Sequence, residues 1–255
     1  MRNRWTPAIA GLVLLAVSRG ADAYTLNTIY SFCAQPNCAD GFGPIDGLHI
    51  DRSGNLYGTT YTGGDANSGT VFELVANADK TALTYKRLHS FCSRTNCADG
   101  RNPLGKLIAD SAGDLFGTAS GGGAHGGGTV YELIPKANGN WELSLLHKFC
   151  PLHNCIGGAG PRAGLTYLGA AAGRPYDDFS SLYGTTVGGG IYLHGNVFAL
   201  TPIPGQLGWQ EEVVHSFCEG DACGDGNDPY SGVTVDPKGN LFGNTPGGGY
   251  CCGVA

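Results

Sequence analysis

Four pairs of cysteines are the first residues in this sequence whose type and spacing could do chemistry. Cys33 and Cys38, Cys92 and Cys97, Cys150 and Cys155, and Cys218 and Cys223 share the spacing Cys-x4-Cys, and the first members are 59, 58 and 68 residues apart. Paired cysteines either close disulfides or hold a metal. His89, His147 and His215 each stand three residues before a first cysteine, and the spacing lies within the range of zinc sites, so zinc is the rival reading. Disulfides are favoured, because the pairs belong to separate repeats and the chain opens like an exported one. The connectivity expected is within each pair, and each small loop is worth roughly 2 kcal/mol in chain entropy. Cys251 and Cys252 are adjacent and stand outside the pattern, able to bond to each other, to another chain, or to remain thiols.

Other side chains could bind ligands. Asp40, Asp99 and Asp225 follow three of the four second cysteines by two residues, with Gly157 in the remaining place. A ring of carboxylates with backbone carbonyls would suit calcium. Asp-Gly is also ordinary turn chemistry, and no Asp-x-Asp-x-Asp run occurs, so no cofactor is expected. Gly-rich loops carry Asp65 and Asn67, then His125, then Tyr192 and His194, then Tyr250. Varied side chains on a repeated platform suit recognition, although the glycines also read as plain turns. An insertion from 168 to 180 in the third repeat holds Arg174, Tyr176, Asp177, Asp178 and Phe179, with Tyr176 and Asp178 the candidates for contact with sugar or peptide. The histidines recur once per repeat, which points to a structural role. No Gly-x-Ser-x-Gly elbow, phosphate loop or His-Glu-x-x-His is present. Glu211-Glu212 is the sole adjacent glutamate pair, and a glycosidase needs two carboxyls at a set separation.

The elements that must position these residues follow from the repeat, which is read before anything else. After each cysteine pair come a Gly- and Pro-containing turn and a short apolar strand a, such as Gly47-Leu48-His49-Ile50. A tight turn then leads to strand b: Leu56-Tyr57-Gly58-Thr59-Thr60, Leu115-Phe116-Gly117-Thr118-Ala119, Leu182-Tyr183-Gly184-Thr185-Thr186 and Leu241-Phe242-Gly243-Asn244-Thr245. A Gly-rich loop precedes strand c, as in Gly69-Thr70-Val71-Phe72-Glu73-Leu74. Strand d, such as Tyr85 to Phe91, runs into the next cysteine pair. These are hairpin signals, and no helical period appears. Four-stranded units in series read as blades of an all-β propeller. The blades expected are 44–91, 103–149 and 161–217, with an incomplete fourth from 229 to 255. The segment 26–32 matches strand d and would complete that fourth blade; the rival expectation is that the chain is a piece of a longer array. Meander order places the cysteine loops and the Gly-rich loops on one face, and the a–b turns on the other.

Residues 1–23 read as a signal peptide: Arg2 and Arg4, an apolar run from Ala8 to Val17, and Ala21-Asp22-Ala23 as the cleavage pattern. The run is too short to span a bilayer. Cleavage removes Arg2, Arg4, Arg19 and Asp22 from 15 basic and 21 acidic residues, leaving 12 and 20, a net charge of −8. The remaining basic residues are scattered, which argues against nucleic acid or an anionic membrane surface as the main partner; no stable membrane insertion is expected after cleavage, and a glycan or a protein is the partner expected. About 230 residues remain, enough for one core.

The Leu-Tyr-Gly-Thr-Thr strand, the Gly-Gly-Gly loop, Gly-Thr-Val-Phe-Glu-Leu and the closing Leu-His-Ser-Phe resemble together the Gloeo–Verruco (GloVer) tandem repeat, over nearly all of 26–250. The resemblance implies an exported, propeller-like bacterial repeat protein, secreted, periplasmic or at the cell surface, without a known activity. It supplies no catalytic residue. The chain departs from the family in its extra Cys-x4-Cys and in showing no C-terminal anchor. The function expected is a non-catalytic binding or surface module; the alternatives are a polysaccharide hydrolase or lyase and a fragment of a longer array.

Overall fold

The computed structural model describes residues 27–123, 125–151, 155–220 and 223–249. The expected signal peptide, Tyr250, Cys251 and Cys252 lie outside them. The described chain is all-β, with three antiparallel meanders and a hairpin. The first sheet is β1 (His49–Ile50), β2 (Leu56–Thr60), β3 (Thr70–Ala76) and β4 (Leu83–Ser90), paired in that order. The second is β5 (Arg101–Pro103) and β6 (Ile108–Ala109), both paired with β7 (Leu115–Gly121), then β8 (Thr129–Pro135) and β9 (Trp141–Lys148). The third is β10 (Ala159–Pro161), β11 (Leu182–Gly188), β12 (Asn196–Pro202) and β13 (Trp209–Ser216), and β14 (Thr234–Val235) pairs with β15 (Leu241–Phe242).

The segment before strand a, expected as a Gly- and Pro-containing turn, is itself paired in the second unit: strand a is there in two parts, of which the first, β5, pairs with the end of strand b and the second, β6, with its start. Gly105, between the two parts, has φ +54°, and a Cβ there would lie 2.5 Å from the Gly164 nitrogen in the next unit. The strand bends because two first strands meet backbone to backbone, a contact that only glycine permits.

Strand c is the core of each unit. Thr70 to Leu74 are all buried, so the alternation of a one-sided strand is lost. On strand b, Gly58, Gly117 and Gly184 face the ring of the strand-c aromatic. A Cβ would come 2.7 Å from Phe72 Cζ at Gly58 and 2.5 Å from the Tyr131 hydroxyl and Phe198 Cζ at the other two. This explains Leu-aromatic-Gly-Thr: the ring lies flat where a side chain would stand.

The units pack on one another through two clusters. Leu88 and Phe91 at the end of the first unit join Leu107, Tyr131, Leu133 and Leu143 of the second. Leu146 and Phe149 join Leu165, Phe198 and Leu200 of the third. The closing phenylalanine meets the next strand-c aromatic edge-on each time: Phe91 on Tyr131 at 5.1 Å and Phe149 on Phe198 at 5.0 Å. Backbone bonds repeat as well, with the amides of Asn102, Gly160 and Asp228 donating to Ser68, Gly127 and His194 of the preceding Gly-rich loop at 2.7, 2.7 and 2.9 Å.

Residues 27–32, expected as a strand, form none. Phe32 nonetheless packs edge-on against Phe72 at 4.7 Å, and Tyr30 stacks on Tyr85 at 4.9 Å. They lie against the first unit as Phe91 lies against the second. No strand-c partner stands beside them among the described residues, so the contact is made by side chains and the ladder is missing.

Candidate functional site

The cysteine loops are built around a carboxylate. Each pair forms its own disulfide, Cys33–Cys38, Cys92–Cys97, Cys150–Cys155 and Cys218–Cys223. The sulfurs are thereby used, and the cluster of His194 with Cys218 and Cys223 is a histidine beside a disulfide. Asp99, fully buried, accepts the Ser93 N–H at 2.9 Å, the Ser93 hydroxyl at 2.8 Å and the Arg94 N–H at 3.2 Å. Asp40 accepts the Ala34 and Gln35 N–H groups and the Tyr30 hydroxyl at 2.8 Å. Asp225 accepts the Cys218 and Glu219 N–H groups and lies 3.0 Å from His215 Nε2. Burial pushes the Asp99 carboxyl up, but these donors together outweigh it and hold the group below the usual range. The three aspartates, read as a candidate calcium ring, each face inward to their own loop; their oxygens are taken by N–H and O–H donors.

The third loop is made differently. Pro151 follows Cys150 and has no N–H to donate, and Gly157 stands where the aspartate would be. The vacated space holds Glu211 of β13: a Cβ on Gly157 would lie 2.6 Å from Glu211 Oε2. Glu211 pairs across the ladder with Leu200, as Tyr85 does with Leu74 and Leu143 with Leu133. The carboxylate has thus moved from the loop to the neighbouring strand. Glu211 Oε2 lies 3.4 Å from His147 Nε2. Burial pushes the glutamate up to about 7 and the histidine down to about 4. Glu211 Oε1 and His147 Nε2 are buried without a hydrogen-bond partner of good geometry among the described residues.

The Gly-rich loops stand beside the cysteine loops on one face. The N–H groups of Gly64, Gly123, Gly190 and Gly249 each donate to the carbonyl of the second cysteine, at 2.8 to 3.0 Å. On this face the expected residues separate. Asp65 is exposed and held by Arg87 through two bonds of 2.8 and 3.0 Å. His125 is exposed in the second unit. Tyr192 and His194 share the third loop with Ile191 and Leu193, all reaching solvent, and His194 Nδ1 lies 3.5 Å from Asp228. Two residues on, Tyr230 is exposed with the Arg162 guanidinium 5.1 Å above its ring. The structure therefore joins His194 to Asp228, and Arg162 to Tyr230 two residues further on, partners that the sequence reading passed over, while Asp65 and His125 stand on other units.

The insertion corrects one expectation. Tyr176 is not a surface aromatic: it is 1% exposed, its ring packs edge-on against Phe116 and Tyr167, and its hydroxyl donates to the Ser180 carbonyl. An aromatic in a polar segment reads as a contact residue, but here it plugs the gap between two sheets. Asp178 has φ 63° and hydrogen-bonds Asp110 on the opposite face of the units, and burial with the negative charge of Asp110 raises it to about 6. Glu132, raised to about 7 by burial and then by Asp114, Asp178 and Asp110, completes a carboxyl cluster. In the first unit the same places hold Asn55 and Tyr57, whose amide and hydroxyl donate to Asp51 and Glu73 at 2.9 Å. Asp114 and Phe116 remove both donors, so the second unit gathers protons instead.

A sequence model of the Gloeobacter/Verrucomicrobia repeat matches residues 16–176, more than half of the chain. No curated protein matches it. Among the described residues, no helix is long and apolar enough to cross a membrane.

Proposed function

Because the chain belongs to the Gloeobacter/Verrucomicrobia repeat family, we propose that it is an exported repeat module of propeller form that binds a glycan or protein on its disulfide-loop face and catalyses nothing. The observation that carries this reading is the contrast on that face. The frame repeats bond for bond, from the Gly N–H to the cysteine carbonyl, while the side chains it presents differ from unit to unit. The third Gly-rich loop and its neighbour carry the richest set: Tyr192, His194, Asp228, Tyr230 and Arg162. Exposed aromatics beside charged groups suit a sugar ring or a peptide. Four disulfides favour an oxidising compartment and hence export. Side-by-side packing of four-stranded meanders favours blades, and Phe32 against Phe72 occupies the place of an outer strand from a preceding blade.

The test is a panel of soluble polysaccharides incubated with the oxidised chain and scored for retention and for released reducing ends. Retention without products, weakened about tenfold or more by Tyr192→Ala with Tyr230→Ala, is the expected result. A second reading, a polysaccharide-active enzyme, draws on the carboxyl cluster, since protonated Glu132 and Asp178 beside Asp110 offer a general acid. Released products that vanish in Glu132→Gln would establish that reading and refute the first.

A further inference from the structure

We propose that the insertion 168–180 is a proton-gated strap: it lies docked on the second unit while the Asp178 carboxyl holds a proton, and it lifts from Asp110 when that proton is lost. The insertion belongs to the third unit but is anchored outside it. The Tyr176 N–H donates to the Ala109 carbonyl of the second unit at 3.0 Å, and Tyr176 forms a parallel bridge with Asp110. The buried Tyr176 ring lies edge-on against Phe116 of the second unit. The helical turn Ala170–Ala172 touches β14 on the other side. One segment thus ties the third unit to both of its neighbours, and its release uncovers Phe116 and loosens the joint between the second and third units.

The polar fastening of the strap is an acid against an acid. Asp178 and Asp110 share a side-chain hydrogen bond. Two ionised carboxylates offer acceptors alone, so this bond exists only while one of them carries a proton. Asp110 is buried, and its Oδ1 already accepts the N–H groups of Gly113 and Asp114 at 2.8 Å each. The proton therefore belongs on Asp178, which is held at φ 63°, a left-handed conformation that aspartate and asparagine tolerate better than most residues.

The surroundings of Asp178 are negative from every side that carries charge. The a–b turn of the second unit brings Asp110 and Asp114, and β8 brings Glu132. Asp177, its neighbour in the insertion, keeps its charge by accepting the N–H groups of Phe179 and Ser180 and the Ser180 hydroxyl. β7 and β14 bring no titratable side chain. The hydroxyls of Tyr167 and Tyr176 are spent on the carbonyls of Arg174 and Ser180, and the stem of Arg174 runs back beside Gly169. Lys136 is the cation that acts on the cluster, and its ammonium is already paired with Glu142 at 2.7 Å. Burial and then these negative neighbours raise Asp178 from 3.8 to about 6 and Glu132 from 4.5 to about 7. The docked strap thus keeps protons that a released one gives up. Docking is complete below the ordinary carboxyl values and is lost as pH rises through 6 to 7.

The experiment is hydrogen exchange on the oxidised full chain in EDTA from pH 5 to 8, read by mass spectrometry and corrected for the pH dependence of exchange in a free amide. Protection of the segment that carries the Tyr176 N–H is expected to fall about tenfold over this range, the effect of one pH unit once water has screened the exposed Asp178. Protection of β8 is expected to hold, which separates release of the strap from unfolding. Asp178→Asn brings a donor that needs no added proton and suits the same backbone, and together with Glu132→Gln it should keep the strap protected at pH 8. Asp178→Ala, with no hydrogen bond to give, should leave the strap loose at both ends of the range. Wild-type protection that is equal at pH 5 and 8, a double variant that loosens as the wild type does, or full protection in Asp178→Ala would each overturn the proposal.

Discussion

Replacing Glu211 by glutamine separates the charge of the third loop from its shape. Burial raises this carboxyl from 4.5 to about 7, so the folded chain keeps a proton that the unfolded chain has released. The stability associated with that proton is complete below pH 4.5 and is lost as pH rises through 7. His147 has the opposite sign. Its value falls from 6.5 to about 4, so its contribution is complete above pH 6.5 and is lost as pH falls through 4. Between about pH 4.5 and 6.5 the two slopes oppose each other, and the wild-type profile is flat with respect to this pair. Glutamine removes only the first slope. The full shift corresponds to roughly 3 kcal/mol at about 1.4 kcal/mol per pH unit. The Glu211 side chain is 18% exposed, so water screens part of this, and about 1–2 kcal/mol is expected. Urea denaturation of both proteins at intervals from pH 4.5 to 8.5 reads the difference directly. The two should be equally stable near pH 4.5, with Glu211→Gln ahead by about 1–2 kcal/mol at pH 8. A difference that does not change with pH, or a variant that is weaker at pH 8, would refute the account of a buried carboxyl protonated on folding.

Asp99→Ala leaves the N–H groups of Ser93 and Arg94 and the Ser93 hydroxyl without their acceptor, and a loss of about 2–4 kcal/mol in urea denaturation is expected. Tyr131→Phe removes a hydroxyl that is buried without a partner among the described residues; phenylalanine already serves at the equivalent Phe72 and Phe198, and the variant should gain roughly 1 kcal/mol in the same assay. Cys92→Ala with Cys97→Ala opens one short loop and should cost about 2 kcal/mol while leaving the far-ultraviolet circular-dichroism spectrum unchanged. Gly157→Ala drives a methyl toward Glu211 and should lower the melting temperature, with Glu211→Leu restoring most of the loss.

Much of the frame is legible in residue order alone. Local chemistry sets the hairpins, because Asp-x-x-Gly-Asn turns and the alternation of strands act over a few residues. The disulfide pairs follow from spacing, since a loop of four intervening residues brings its own ends together. The glycine of Leu-aromatic-Gly-Thr is visible as a repeat, although its reason, the ring across the ladder, is not. The sequence also shows the breaks in the pattern: Gly157 for aspartate, Pro151 after a cysteine, and an isolated Glu211-Glu212.

What residue order alone left undecided are the relations across units. Glu211 lies 54 positions from Gly157, and only ladder register and the packing of one unit on the next bring its carboxylate into that space. Tyr176 has polar neighbours in sequence and apolar ones in space, because an insertion can fold back between sheets. Tyr230 and Arg162 belong to different units and meet because the first strands converge. Burial and electrostatic pairing between distant segments depend on how the units dock, and docking is a property of the assembled surfaces that a single repeat does not encode.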